Sequence, residues 1–166
     1  MKNLFGKRIA ILVEADYQDM EVHYPRYRLL EAEAQVTIVG TGSAGRYIGK
    51  YGYPVDVDID ASAVRAADFD GVIIPGGWAP DKMRMSVPML DFVTNLAKKG
   101  RVIGCICHGG WVLASADVVK GKRLTSYAAI KDDLIHAGAT WVDEEVVVDG
   151  KLITSRKPDD LPAFMR

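Results

Sequence analysis

Residues 104 to 116 read GCICHGGWVLASA and set a cysteine beside a histidine between two very different segments. Ahead lies RVIGCI (101–106), an apolar run of the kind shown by a strand buried on both faces. Behind lies WVLASA, good helix-forming sequence. Cys107 therefore falls on a sharp strand-to-helix turn and is followed at once by His108, Gly109 and Gly110. Such a turn strains its central residue and presents the side chain at the carboxyl end of the strand, as a nucleophile elbow does. Glycines behind it let the helix pack close to the strand. Amide N–H groups at the helix start are expected to stabilise a thiolate, lowering the Cys107 pKa from about 8.5 into a reactive range, and to hold an oxyanion. His108 is expected to act as base and proton donor. Cys105, inside the strand, reads as a core residue.

Outward from this junction the same alternation recurs. RIAILV (8–13), QVTIVG (35–40) and DGVIIPGG (70–77) read as strands. VHYPRYRLLEAEA reads as a helix with Leu29 and Leu30 facing inward and Pro25 in its first turn, where a missing N–H costs nothing. GTGSAGRYIGKYGYPVDVDID reads as a hairpin or irregular excursion, and ASAVRAADF as a short helix. APDKMR and VPMLDFVTNLAKKG are helical, the second stopping at Gly100. GGWVLASADVV is a helix, KRLTS a strand, AAIKDDLIHAG a helix closed by Gly138, and EEVVVDGKLITS a hairpin with an Asp-Gly turn. KPDDLPAFMR begins a helix inside which the sequence ends. His23 and His136 fall on helices as surface or boundary residues. Uniformly apolar strands alternating with helices specify one α/β domain over 1–166, a mostly parallel sheet with helices on both faces.

Open sheets of this kind bind ligands at the carboxyl ends of their strands. In DGVIIPGGWAPDKMR, Gly76 and Gly77 follow a buried strand, and free amides in a Gly-Gly turn form an anion-binding nest. If that strand neighbours the one bearing Cys107, the Gly77 N–H supplies a second oxyanion donor. Asp81 opens the next helix and reads equally as a helix N-terminal acid. Glu21, in DYQDMEV after the first strand, is either solvated or shares a proton with the thiol and tunes it.

Composition narrows the function classes. Lys and Arg number 21 against 22 Asp and Glu, a net charge of −1, so no basic excess points to nucleic acid or an anionic membrane as partner. No apolar run is long enough to cross a bilayer, and the N-terminus lacks a signal-peptide pattern, which points to the cytoplasm. Two cysteines separated by one residue cannot staple distant parts of a fold, and their spacing with histidine matches no zinc pattern.

With these residues in view, the sequence resembles the ThiJ/PfpI superfamily, its PfpI branch most closely. The likeness is carried by DMEVHYPRYRLLEAEA, GKYGYPVDVDID, FDGVIIPGGWAPDKMR, ICHGG and KRLTSYAAIKDDLIHAGATWVDEEVVVDGKLITSRKPDDLPAF, nearly the whole chain. The resemblance implies a flavodoxin-like sandwich with Cys107 as elbow nucleophile, Glu21 as the buried acid on the thiol and His108 as the adjacent imidazole. It implies that Asp81 orients His108 from a neighbouring subunit, hence a homodimer or a hexamer. The closest protease pattern carries Glu at that position, so Asp81 has the shorter reach. It further implies an oxyanion hole from Gly77 and the His108 amide, with Gly76 and Gly109 beside it and Tyr127 lining the pocket. Gly110 replaces the family's usual proline, loosening the first helical turn, and the C-terminal helix stops early.

The implied activity is a cofactor-independent, metal-free cysteine hydrolase of the deglycase or glyoxalase kind. It would act on methylglyoxal or glyoxal adducts of proteins, on small aldehydes, and on nucleic acid only as a possible substrate. A peptidase using Cys107, His108 and Asp81 is the alternative implied by the same motifs. A redox-sensing or chaperone-like stress protein is the second, since an ionised thiol beside a carboxylic acid is a natural site of oxidation.

Overall fold

The structure, a computed structural model, describes residues 3–166. The elements, in chain order, are β1 (Arg8–Val13), α1 (Asp19–Glu31), β2 (Gln35–Gly40), β3 (Arg46–Ile48), β4 (Pro54–Asp56), β5 (Ile59–Asp60), β6 (Gly71–Ile74), α2 (Ala79–Met83), α3 (Val87–Lys98) and β7 (Val102–Ile106). They continue with α4 (Gly110–Ser115), β8 (Arg123–Leu124), α5 (Lys131–His136), β9 (Thr140–Trp141), β10 (Val146–Asp149), β11 (Leu152–Ser155) and α6 (Leu161–Phe164). Seven strands form one sheet in the order β10-β11-β7-β6-β1-β2-β5. All its pairings are parallel except β10 with β11, the hairpin at one edge. Helices α1 and α6 pack together, and α2 to α5 form a second contacting set with α3 against β6 and β7. This is the flavodoxin-like α/β sandwich.

The apolar runs behave as two-sided burial demands. Every residue of β6 is buried, as are Ile103 to Ile106 of β7 and Ala10 to Val13 of β1. Ile11, Leu12, Ile38, Ile74, Leu96, Ile106 and Leu113 are closed off from solvent, each worth about 1.5–3 kcal/mol of transfer free energy. α3 ends where expected, with Gly100 at φ +63° after two lysines.

Several expectations need correction. α1 starts six residues before Pro25, because the Gln18 side chain accepts from the N–H groups of Met20 and Glu21 and caps the helix there. Pro25 is thus interior rather than in the first turn, and Leu30 faces solvent while Leu29 is buried. Residues 61–63 and 66–68 form two separate 3-10 turns instead of one helix. α4 stops at Ser115, and Asp117 takes φ +54°, so the helix ends short of Val118 and Val119. Only Arg123 and Leu124 of KRLTS pair, with β9 and outside the main sheet. The edge hairpin pairs Asp149 with Leu152, which leaves Gly150 (φ +63°) and Lys151 as its two-residue loop. His136 is exposed as expected. His23 is buried, with its Nε2 at 3.2 Å from the Tyr17 hydroxyl and its ring edge-on to Tyr53. Among the described residues, no helix is long and apolar enough to cross a membrane.

Candidate active site

Strand order decides the site. β6 lies between β1 and β7, so the segments following all three meet at one edge of the sheet. The segment after β1 is pinned to the segment after β6. The Gln18 N–H donates to the Gly76 carbonyl at 3.1 Å, and the Trp78 N–H to the Asp16 carbonyl at 2.9 Å. This brace carries the first turn of α1, and with it Glu21, against the glycine turn and the cysteine.

Cys107 sits at φ +62°, in the left-handed region that an L side chain rarely adopts, followed by a 3-10 turn and then α4. Strain of this order, about 1–3 kcal/mol, persists only where the surroundings over-determine it. Here they do. The Tyr127 N–H donates to the Cys107 carbonyl at 3.2 Å, and the neighbouring glycines leave no room for another path. A Cβ on Gly76 would lie 2.6 Å from the Cys107 Cβ and 2.9 Å from its sulfur. A Cβ on Gly109 would lie 2.7 Å from the Ile74 carbonyl oxygen and 2.9 Å from the Cys105 sulfur. Gly77 has φ +78°, and a Cβ there would meet Gln18 N at 2.4 Å. At Gly110 a Cβ would face side-chain ends of Ile130 and Leu134 at 3.0 and 3.1 Å, so α4 starts tightly packed rather than loosened.

Around the sulfur the groups converge. The backbone N–H groups of His108 and Gly77 both point at it. His108 Nδ1 is 3.3 Å away. The Glu21 carboxyl borders it, with Oε2 accepting the Gly76 N–H at 2.7 Å and buried Oε1 left without a hydrogen-bond partner. Cys105 is a buried free thiol in the strand below. Asp81 is exposed in the first turn of α2, and among the described residues no hydrogen bond or ion pair joins it to His108. The chain by itself therefore assembles Glu21, Cys107 and His108 but not Asp81.

Electrostatics correct one expectation. Burial, then the nearby Glu21 carboxylate, push the Cys107 thiol up to about 12; the two amides pull it down by less. The expected lowering of the free thiol does not hold, because amide dipoles do not outweigh desolvation plus a like charge at one buried point. Burial also raises Glu21 to about 7, against the Gly76 and Cys107 hydrogen bonds that lower it. His108 lies below its ordinary value through burial and then the Lys50 charge, so its imidazole is neutral at pH 7. The buried carboxyl and thiol thus hold a single negative charge between them over a wide range of pH.

A cleft of about 550 Å³ opens over the sulfur, lined in part by Gln18, Lys50, Trp78, Trp111, Tyr127 and Pro158. The His108 ring lies 4.9 Å from that of Tyr127, stacked on it, and 5.3 and 5.7 Å from those of Trp111 and Trp78. Sequence reading missed Lys50, Trp78 and Trp111 as lining groups. The one usable signal was the position of each beside a motif: Trp78 after the Gly-Gly turn, Trp111 after the elbow glycines, Lys50 in GKYGY.

An open parallel α/β sheet with a strained cysteine at a strand end, amides on its sulfur and a buried carboxyl beside it defines a nucleophile-elbow cysteine protein. The chain belongs to the DJ-1/PfpI family, whose model matches residues 7–166. It is 40% identical to deglycase PfpI of Pyrococcus furiosus over 96% of this chain and 95% of that protein. It is also 40% identical to the putative cysteine protease YraA of Bacillus subtilis, over 97% and 95% of the two chains. A crystal structure from Anabaena variabilis, a two-domain protein with dj-1/thij/pfpi-like and ferritin-like domains, matches with TM-score 0.94 and 40% identity. That match covers 96% of this chain, which spans 46% of the larger one.

Proposed function

We propose that the protein is a cofactor-independent cysteine hydrolase that removes methylglyoxal- or glyoxal-derived adducts from amines and thiols. The observation that carries this reading is the convergence of the Gly77 and His108 amides, His108 Nδ1 and the Glu21 carboxyl on one buried sulfur that borders the cleft. Its relatives of similar length include proteins named deglycase and putative cysteine protease.

The chemistry follows from the geometry. As the Cys107 sulfur bonds to the hemiaminal carbon of an amine adduct, its proton passes to neutral His108 Nδ1 and on to the departing amine. The resulting hemithioacetal carries a ketone on the adjacent carbon. Moving the C1 proton to C2 through an enediol, with His108 as carrier and the Gly77 and His108 amides holding the oxyanion, turns it into a 2-hydroxy thioester. Water then releases the hydroxy acid and restores the thiol. The sum is adduct plus water to free amine plus 2-hydroxy acid, with no external oxidant or reductant. Glu21 holds the pair's proton and sets when the sulfur ionises. Asp81 belongs to this site through a second copy of the chain, which makes the working unit a homo-oligomer. The reading places the enzyme in the cytoplasm, where a reducing environment keeps Cys107 a thiol.

The test is parallel assay of wild type and Cys107→Ala on methylglyoxal-modified N-acetyl-lysine and N-acetyl-cysteine and on a panel of fluorogenic peptide amides. Release of lactate by wild type alone supports the proposal. Peptide turnover without adduct turnover transfers the same nucleophile to the peptidase reading, and lactate release by Cys107→Ala at the wild-type rate ends both.

A further inference from the structure

The wall of the cleft has a chemistry that the elbow does not require. Trp78 and Tyr127 stand 53% and 42% exposed beside a nucleophile, where core packing gives no reason for them. Trp111 is fixed in place. Its Nε1 donates to Asp133 at 2.7 Å, and the Arg84 guanidinium lies 5.5 Å over its ring while Arg84 Nε donates to Ser115. The Tyr127 main chain is held by its N–H to the Cys107 carbonyl, and its ring stacks on that of His108 at 4.9 Å. Flat apolar faces held rigidly around a reacting sulfur are a receptor for a planar group.

Lys50 supplies the second half. Its Nζ rests 5.2 Å over the Trp78 ring and 5.5 Å over that of Tyr51, at the rim of the same cleft. Among the described residues it forms no ion pair, and no Asp or Glu lines the cleft. An unpaired ammonium steered by two rings toward a pocket is a binding group for an anion. One ammonium with no guanidinium on the lining suits a monoanion such as a carboxylate.

We propose that the cleft selects aryl carbonyl substrates that carry a carboxylate, the ring lying among Trp78, Trp111 and Tyr127 and the carboxylate on Lys50. This rests on the reading of Cys107 as the nucleophile that attacks the carbonyl. Methylglyoxal has neither a ring nor a charge, so it uses the sulfur and amides and leaves the wall idle.

Two measurements test it. The first is turnover of methylglyoxal, phenylglyoxal and 4-carboxyphenylglyoxal by the full chain. The expected kcat/KM rises at least tenfold from the first to the last, with Lys50→Met cutting the ratio of carboxyphenyl to phenyl substrate about tenfold, through KM. The second is binding of the products, mandelate and 4-carboxymandelate, to Cys107→Ala by tryptophan fluorescence, with and without Lys50→Met. Tighter binding of 4-carboxymandelate, by tenfold or more and lost with Lys50→Met, supports the proposal even if no substrate turns over and the hydrolase reading fails. Turnover without any preference among the three substrates, or equal product binding, overturns the proposal and leaves the hydrolase reading intact. Equal losses on all three substrates in Lys50→Met also overturn it, since Lys50 would then act only through the charge it places near Glu21 and His108.

Discussion

The Glu21 carboxyl and the Cys107 thiol face one another in a buried site that favours the charge of neither. Two residues 86 positions apart in sequence are made into one titrating unit by the brace between the segments after β1 and β6. The pair releases its first proton near pH 7 and the second near 12. Much of the protein's behaviour follows from that coupling.

Reactivity of the sulfur is expected to report the first of these steps. Iodoacetamide alkylation of Cys107, followed by mass spectrometry, rises through about pH 7 as the pair becomes singly ionised, and then levels. Glu21→Gln removes the levelling, because its uncharged amide no longer pushes the thiol up, so alkylation keeps rising with pH and at pH 8 exceeds wild type by roughly tenfold, the scale set by a carboxylate that shifts a neighbour by a pK unit or more. A single rise in wild type near the ordinary thiol value, about 8.5, would show that the carboxyl takes no part.

Stability is expected to move the other way. Burial raises Glu21 from 4.5 unfolded to about 7 folded, so the native state holds a proton that the unfolded chain has released. The stabilisation is complete below pH 4.5 and is lost as pH climbs through about 7, a fall of about 3 kcal/mol. Gln cannot ionise and keeps an oxygen for the Gly76 N–H. Urea unfolding should therefore show Glu21→Gln more stable than wild type at pH 8 and equal to it at pH 4, a gain bought with activity.

Glycines at the site differ sharply from glycines elsewhere. Gly77→Ala, at φ +78° with a Cβ 2.4 Å from Gln18 N, is expected to cost about 2–4 kcal/mol. Gly76→Ala drives a methyl into Cys107 and Glu21 and removes alkylation at neutral pH. Gly45→Ala, which would meet nothing within 4 Å, changes stability by less than about 0.5 kcal/mol. Thermal melts of the three rank these sites directly.

The two cysteines are expected to separate cleanly. Cys105 is buried in β7 and pushed well above its ordinary value by burial. Cys105→Ala costs about 1–2 kcal/mol as a small cavity and still takes up one label per chain. Cys107→Ala takes up none under native conditions. Label uptake by a folded Cys107→Ala would show that β7 opens more readily than its burial implies.

Asp81 gives a test of assembly. If it acts across an interface, Asp81→Asn and Cys107→Ala are each impaired, yet their mixture after unfolding and refolding together recovers about one quarter of wild-type activity. Half the dimers are mixed, and each mixed dimer holds one complete site of its two. A mixture no better than the sum of its parts places Asp81 outside the reaction.

The order of strands and helices and the sharp turn at Cys107 were legible along the chain. Each rests on a local pattern: a short apolar run, a Gly-Gly turn, a cysteine and a histidine followed by two glycines. The start of α1 was misread because Pro25 looked like a first-turn marker, while the cap supplied by Gln18 lies seven residues earlier. His23 was misplaced because its burial depends on Tyr17 and Tyr53, which belong to other segments.

The sequence by itself determined the alternating α/β plan and the strand-to-helix turn that carries Cys107, since backbone preference and hydrophobic period act between near neighbours. Tertiary structure alone decided that β6 lies beside β7, that Glu21 reaches the sulfur, and that Trp78, Trp111 and Lys50 form one wall. It also reversed the expected direction of the thiol's pKa. Desolvation and Coulomb repulsion depend on which distant groups share a buried volume, and no local stretch of residues encodes that.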